Sequence, residues 1–393
     1  MKIKAFLLSS VLCAGLTLGS CCSEEEPMIV PSRTVLVYMA ADNSLSSFAD
    51  KNIKNMLIGA EGNNLNGGNL LVYHDPASEP PRLLRIIQGT NGAMEEQIIR
   101  TYEEHNSVSV EVMRNVLEDV FLNPAYKADS YGLLLWSHAS AWLPSDIGNY
   151  LRSFGQDRTP KNSFMEIYDL QKALQGYTFD YIIFDVCYMS NVEVAYALRN
   201  YTDYILASPT EVLGPGMPYE HIVKYLFSGE PVQSALQKAG ERFYTYYENQ
   251  EANSSWPKSA STALVKTSDM DALAAICREI LLGKYETFDL PVENIQRMEY
   301  LRDTDHALYD LGDFIRQQAT SEQYARFMEA LGKVVVYKNT TQEAFYSGYD
   351  GQGRYLTIDK DRFCGISAYV PQLQLTALNE WYKQLDWYKA VYE

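Results

Sequence analysis

The sequence predicts an α/β fold built on a mostly parallel, doubly wound sheet. Short apolar runs such as Thr34-Val35-Leu36-Val37-Tyr38-Met39-Ala40, Gly132-Leu133-Leu134-Leu135-Trp136-Ser137 and Tyr181-Ile182-Ile183-Phe184 recur without polar alternation. Runs of that kind suit strands covered on both faces. Stretches of helical periodicity lie between them, which is the alternation of a βαβ chain. At 393 residues and 47% apolar content, the chain can also bury a large core in one domain or two.

Taken in order, the strand at 34–40 leads to a helix near Leu45 to Leu57, with Asp42 or Ser44 as candidate caps. Gly62 to Gly68 is turn-rich, and Leu70 to His74 reads as the next strand. Leu83 to Gln88 and Glu96 to Tyr102 pair as a possible hairpin. Between Ser109 and Phe121, Val110, Met113, Val116, Leu117 and Val120 fall on one helical face. A polar insertion from Pro144 to Asn162 follows the strand that ends at His138. A helix near Ile167 to Leu174, the strand ending at Cys187, a helix near Val192 to Arg199 and a strand at Tyr204 to Ala207 complete the crossovers. Beyond Tyr219 the pattern is largely helical, with strand-like runs at 262–266 and 365–370.

Two of the apolar runs each end on a reactive side chain, His138 and Cys187. Open sheets of this type bind ligands at the carboxyl ends of their strands, so the thiol and the imidazole are expected to meet there. An imidazole can take the thiol proton, the thiolate can attack a carbonyl, and the imidazolium can protonate the leaving amine. Packing is the competing explanation for a strand-end cysteine, since free cysteine is among the most buried residue types. His74, His105, His221 and His306 lack this context and read as structural or solvated.

Lys plus Arg number 33 against 50 Asp plus Glu, a formal charge of −17. No basic face for phosphate is evident, which argues against a nucleic-acid partner. Lys2 and Lys4 precede an apolar stretch from Ala5 to Leu18, the length of an export signal and too short to span a bilayer. Residues 1–20 are therefore expected to be a signal peptide. Leu18-Gly19-Ser20-Cys21 looks like a bacterial lipobox, which makes Cys21 the expected lipidation site and a membrane the expected partner through a lipid anchor. Cys22-Ser23-Glu24-Glu25-Glu26-Pro27 resembles the acidic stretch of surface-displayed lipoproteins in Bacteroidetes, so 21–33 reads as a linker and the outer membrane or cell surface as the destination. The remaining cysteines show no CxxC pairing, so neither a disulfide framework nor a zinc site is indicated, and no metal ligands are assigned.

Several segments, in order, resemble the clostripain family of cysteine peptidases, relatives of caspases and gingipains. They are Val35 to Asn43, Leu135-Trp136-Ser137-His138, Asp185-Val186-Cys187-Tyr188-Met189, Ala207-Ser208-Pro209-Thr210-Glu211 with Gly214-Pro215-Gly216-Met217-Pro218-Tyr219, and Gly365 to Pro371. The resemblance implies a caspase-like three-layer α/β/α fold, with a catalytic core over 34–219 and a helical part over 220–393 that completes the peptidase domain. It makes His138 the general base and acid, Cys187 the nucleophile, and the main-chain amides of Ala139 and Cys187 the oxyanion donors.

The resemblance also places Asp185 in the pocket for the residue before the scissile bond. A carboxylate there pairs with guanidinium or ammonium, so protein or peptide substrates would be cut after Arg or Lys. A strand-end aspartate capping the next loop is the alternative. Family members resemble zymogens that cut themselves between the histidine and cysteine strands; here that interval holds Arg152, Arg158 and Lys161, with Arg152 favoured by its distance from His138. Some relatives depend on calcium, but no loop of alternating oxygen ligands is recognisable, so resemblance is the only ground for that cofactor. One departure stands out: relatives usually carry glycines after the histidine, whereas this chain has Ala139-Ser140-Ala141-Trp142. Alanine is strained where the backbone needs a positive φ, and weak turnover is the expected consequence. A catalytically weak relative acting as a surface binding lipoprotein is therefore the alternative to a lipid-anchored endopeptidase.

Overall fold

Along β1 (Arg33–Ala41) every residue is buried, yet successive side chains serve different cores. Leu36, Tyr38 and Ala40 enter one apolar cluster, while Val35, Val37 and Met39 enter another. This is the period of two expected of a strand with both faces covered. The computed structural model describes residues 33–145, 153–253, 255–285, 291–301, 306–347 and 353–393. The span Pro31–Glu393 is one compact unit. The signal-peptide expectation at 1–20 and the linker expectation at 21–33, with Cys21, lie outside the described residues except for Arg33, which opens β1; Arg152 also lies outside them.

After β1 come α1 (Ser46–Ala60), β2 (Asn69–Pro76), β3 (Arg82–Gln88), β4 (Met94–Thr101), α2 (Val110–Phe121) and β5 (Ser130–Trp136). β6 (Phe154–Asp157), β7 (Ser163–Met165), α3 (Ile167–Leu174), β8 (Phe179–Asp185), α4 (Val192–Leu198) and β9 (Thr202–Ala207) follow. The second half adds α5 (Tyr219–Leu226), α6 (Val232–Glu248), β10 (Ser261–Lys266), α7 (Met270–Leu281), β11 (Leu308–Asp310), α8 (Leu311–Gln318) and α9 (Ser321–Val334). It ends with β12 (Val335–Thr340), β13 (Glu343–Tyr346), β14 (Arg354–Thr357), β15 (Ser367–Tyr369), α10 (Thr376–Tyr382) and α11 (Asp386–Tyr392).

The central sheet has nine strands in the order β12-β10-β9-β8-β5-β1-β2-β3-β4. The five strands from β9 to β2 are parallel. Antiparallel pairs extend the sheet at both flanks, β3 and β4 on one side, β10 and β12 on the other. One cluster packs α1, α5 and α6 on one face, and the other packs α2, α3, α4, α7 and α11 on the opposite face, giving three layers. From β1 the chain steps to β2 on one side and to β5, β8 and β9 on the other, so the topological switch lies between β1 and β5. A crevice opens outside the carboxyl ends at such a point.

Two expectations are corrected locally, and one strand is placed. The polar insertion 144–162 contains a strand, β6, which pairs with β7; Gly155 at φ 73° and the β6 irregularity hide it from a strand pattern. The run at 365–370 forms β15, which pairs with β11 and stays out of the main sheet. Neither Asp42 nor Ser44 caps α1: Leu45 holds that position without a side-chain cap, and the Ser44 hydroxyl is engaged elsewhere. By contrast, Ser109 does cap α2, accepting from the Val112 amide at 3.2 Å.

Candidate active site

Trp136 and Asp185 form the last registered pair of the parallel strands β5 and β8. His138 and Cys187 each lie two residues beyond that pair. Neighbouring strands lie about 4.8 Å apart, so the two reactive side chains leave the sheet from adjacent positions. Both line one cleft of about 320 Å³, together with Ala139, Asp185, Glu211 and Gly216. Its apolar rim includes Leu45, Trp256, Leu301 and Phe345.

The loop after β9 is tied to the cysteine. The Val212 amide donates to Cys187 Sγ at 3.3 Å, and the Val212 carbonyl lies 3.7 Å from the same sulfur. An amide donor at sulfur favours thiolate over thiol. Tyr188, directly after the cysteine, has φ 65°, and its amide donates to the Thr210 carbonyl at 3.0 Å.

The histidine loop is fastened on two sides. The Gly155 amide donates to the His138 carbonyl at 2.8 Å, and Ala139 bridges to Phe154 of β6. Ala141 then takes φ 55°, so the positive φ anticipated after the histidine falls at this alanine and not at Ala139 or Ser140. The turn drops Trp142 into the core, where it stacks on Trp381 with centroids 5.4 Å apart and meets Tyr369 edge-on at 5.4 Å.

Asp185 is 3% exposed, on the sheet face beneath α5. Its carboxylate accepts from the Met217 amide at 3.0 and 3.1 Å and from the Tyr219 hydroxyl at 2.7 Å. Burial pushes its pKa up to about 6, while these donors pull the other way. Gly216, at φ 68°, lets the loop pass over the carboxylate; a Cβ there would lie 2.5 Å from Asp185 Oδ2. Glu211 is a second, half-buried carboxylate in the same cleft, held by the Ser347 amide at 3.0 and 3.1 Å. Burial raises its pKa as well.

Among the sequence-derived site residues, His138, Ala139, Asp185 and Cys187 come together. Arg158 and Lys161 are exposed in the turn between β6 and β7, where the Arg158 amide donates to the Asp42 carbonyl at 3.1 Å. Glu211, Trp256 and Phe345 line the cleft without having been expected as site residues, and Ser44, expected only as a helix cap, meets His138 instead. Glu211 sits inside a recognisable segment, but Trp256 and Phe345 reach the cleft from a loop and a hairpin that no local pattern announces.

A model of the clostripain family, Peptidase_C11, matches residues 37–393. The chain belongs to the clostripain family. It is therefore a clostripain-family cysteine protease with a caspase-like fold. Among solved structures, an inactive zymogen C11 protease from Parabacteroides distasonis is 43% identical, with 92% of this chain and 98% of that chain covered and a TM-score of 0.81. A secreted C11 cysteine protease from Bacteroides thetaiotaomicron in complex with an irreversible peptide inhibitor is 35% identical, with 92% and 99% covered and a TM-score of 0.81. A clostripain from Bacteroides thetaiotaomicron in complex with the peptide inhibitor BTN-VLTK-AOMK is 28% identical, covering 61% of this chain and 99% of that one, with a TM-score of 0.51. No curated protein matches the chain. No helix among the described residues of this protease is long and apolar enough to cross a membrane.

Proposed function

We propose that this protease is an exported, lipid-anchored endopeptidase that cuts peptide bonds after Arg or Lys. The observation that carries this is the buried Asp185 carboxylate in the cleft that Cys187 and His138 also line. A carboxylate removed from water is costly until a cation meets it, so a guanidinium or ammonium entering the cleft gains strongly. The lysine that ends the VLTK inhibitor of one relative agrees with this specificity, and the secreted relative agrees with export. The Lys2/Lys4 leader and the Cys21 lipobox support a lipid anchor.

In the reaction, His138 removes the Cys187 proton and the thiolate attacks the carbonyl carbon of the Arg or Lys residue. The oxyanion is met by the amides of Ala139 and Cys187, donors that in such sites are worth about 3 kcal/mol each. Protonated His138 gives its proton to the departing amine, leaving a thioester. Water, deprotonated by His138, then cleaves the thioester and restores the thiol. The zymogen relative agrees with activation from an inactive precursor, and the cut is proposed between His138 and Cys187, with Arg152 preferred over Arg158 and Lys161.

The test uses the soluble chain from Glu24, with fluorogenic peptides ending in Arg, Lys, Asp or Leu, beside Cys187→Ala and with intact mass recorded. Release after Arg or Lys only, absent in the variant, together with a nick near Arg152, is the expected result. No release from any peptide, even after trypsin nicking of the loop, overturns the endopeptidase and leaves a surface binding lipoprotein.

A further inference from the structure

The Ser44 hydroxyl lies 2.9 Å from Nε2 of His138, across the topological switch between β1 and β5. We propose that Ser44 is a positioning residue that holds the His138 ring by Nε2 and leaves Nδ1 as the atom that exchanges protons during cleavage. The inference rests on His138 being the general base.

The contact is built from a rigid frame. Asn43, 3% exposed, donates through Nδ2 to the Ala40 carbonyl at 2.8 Å, to Ser137 Oγ at 3.3 Å and to the Gln156 carbonyl at 3.0 Å. Its Oδ1 accepts from the Leu45 amide at 2.9 Å. The turn carrying Ser44 is thus clamped on both sides by the residue before it. The residue before His138 joins the same network: Ser137 Oγ donates to the Ala40 carbonyl at 2.7 Å and accepts from the Gln156 amide at 3.1 Å. Residues 43 and 137 are bonded to each other, and the residues that follow them, 44 and 138, meet side chain to side chain. A hydroxyl carried this way keeps its place without help from its own burial.

The chemistry follows from which ring atom is held. A neutral imidazole has one N–H and one lone pair, and the partner of one nitrogen sets the role of the other. With Nε2–H donating to the Ser44 oxygen, the lone pair stands on Nδ1. When Nδ1 takes the thiol proton, Nε2–H still donates to Ser44, now from a charged ring, and such bonds are stronger than neutral ones. The ring therefore need not turn over between accepting and returning the proton. Serine does here what a third, orienting group does for other nucleophile–base pairs.

Ser44→Ala and Ser44→Thr in the full soluble chain decide the matter. Ser44→Ala is expected to lower kcat about tenfold, the scale of one hydrogen bond to a charged group, with KM within twofold of the parent. Ser44→Thr, which keeps the hydroxyl, is expected to restore most of that loss. An unchanged kcat in Ser44→Ala, or a Thr variant as impaired as Ala, overturns the proposal. The ¹⁵N signals of the imidazole, assigned with His138→Gln, give a readout independent of turnover. The proton is expected on Nε2 in the parent and distributed over both nitrogens in Ser44→Ala; a ring protonated on Nδ1 in the parent overturns it. Should the parent show no Cys187-dependent cleavage, the endopeptidase assignment fails by itself while the ring signals still judge Ser44.

Discussion

The Tyr219 hydroxyl donates to Asp185 Oδ2 at 2.7 Å, so the carboxylate in the cleft is held in place before any substrate arrives. Burial raises its pKa to about 6, above the ordinary carboxylate value. Ionised Asp185 is the form that attracts a cationic side chain. KM for Arg and Lys peptides is therefore expected to fall as pH rises through about 6, and Asp185→Asn should flatten that dependence while costing at least about a hundredfold in kcat/KM. Tyr219→Phe removes a donor that favours the ionised form and should move the transition to higher pH. Its contribution to folding runs the other way. An aspartate with a raised folded pKa adds stability below its unfolded pKa, and that stability is lost as pH rises through about 6. KM profiles of the parent and both variants check this; a parent profile flat between pH 5 and 8 counts against it.

Ala141 at φ 55° is held in a conformation that costs an L-residue about 1 kcal/mol. Ala141→Gly is expected to raise stability by roughly 0.5–1 kcal/mol, less any gain in unfolded-chain entropy, and to leave peptide cleavage equal or faster. Urea midpoints of the two chains decide the sign. A less stable glycine variant would mean that the alanine methyl is worth more in packing than the strain it imposes.

Asp75 near the end of β2 is fully buried, with no close hydrogen bond to either oxygen among the described residues, and it interacts with the equally buried Asp157 and with Ser107. Burial first, then the neighbouring carboxylates of Asp157 and Glu104, hold its pKa well above the ordinary range, while Ser107 opposes them. The folded chain thus keeps a proton that the unfolded chain releases, and stability declines with rising pH through that window. Asp75→Asn should remove this slope. Its melting temperature is expected to exceed that of the parent by more at pH 8 than at pH 5, and an equal difference at both values would argue for a shape effect alone.

The parallel strands were legible because full burial on both faces leaves unbroken apolar runs, and His138 and Cys187 stood out because each closes such a run. β4 was legible for a different reason, since it pairs with β3 across a Gly-rich turn even with most of its residues exposed. What sequence could not give was the company these residues keep. Ser44 reads as a helix cap until the fold shows Asn43 taking the Leu45 amide instead. Glu211, Trp256 and Phe345 reach the cleft from points far apart in the chain, and β6 is broken by a glycine at positive φ. Such contacts depend on tertiary packing, which local propensity does not encode.

The stacking of Trp142 on Trp381 gives this enzyme an order of assembly. A chain still in synthesis has both β5 and β8 available long before α10 emerges. Until then the loop bearing the histidine lacks its aromatic anchor, and the nascent chain carries both reactive groups without the seat that aligns one of them. The loop that bears the histidine therefore reaches its packed form only after a segment far downstream has folded over it.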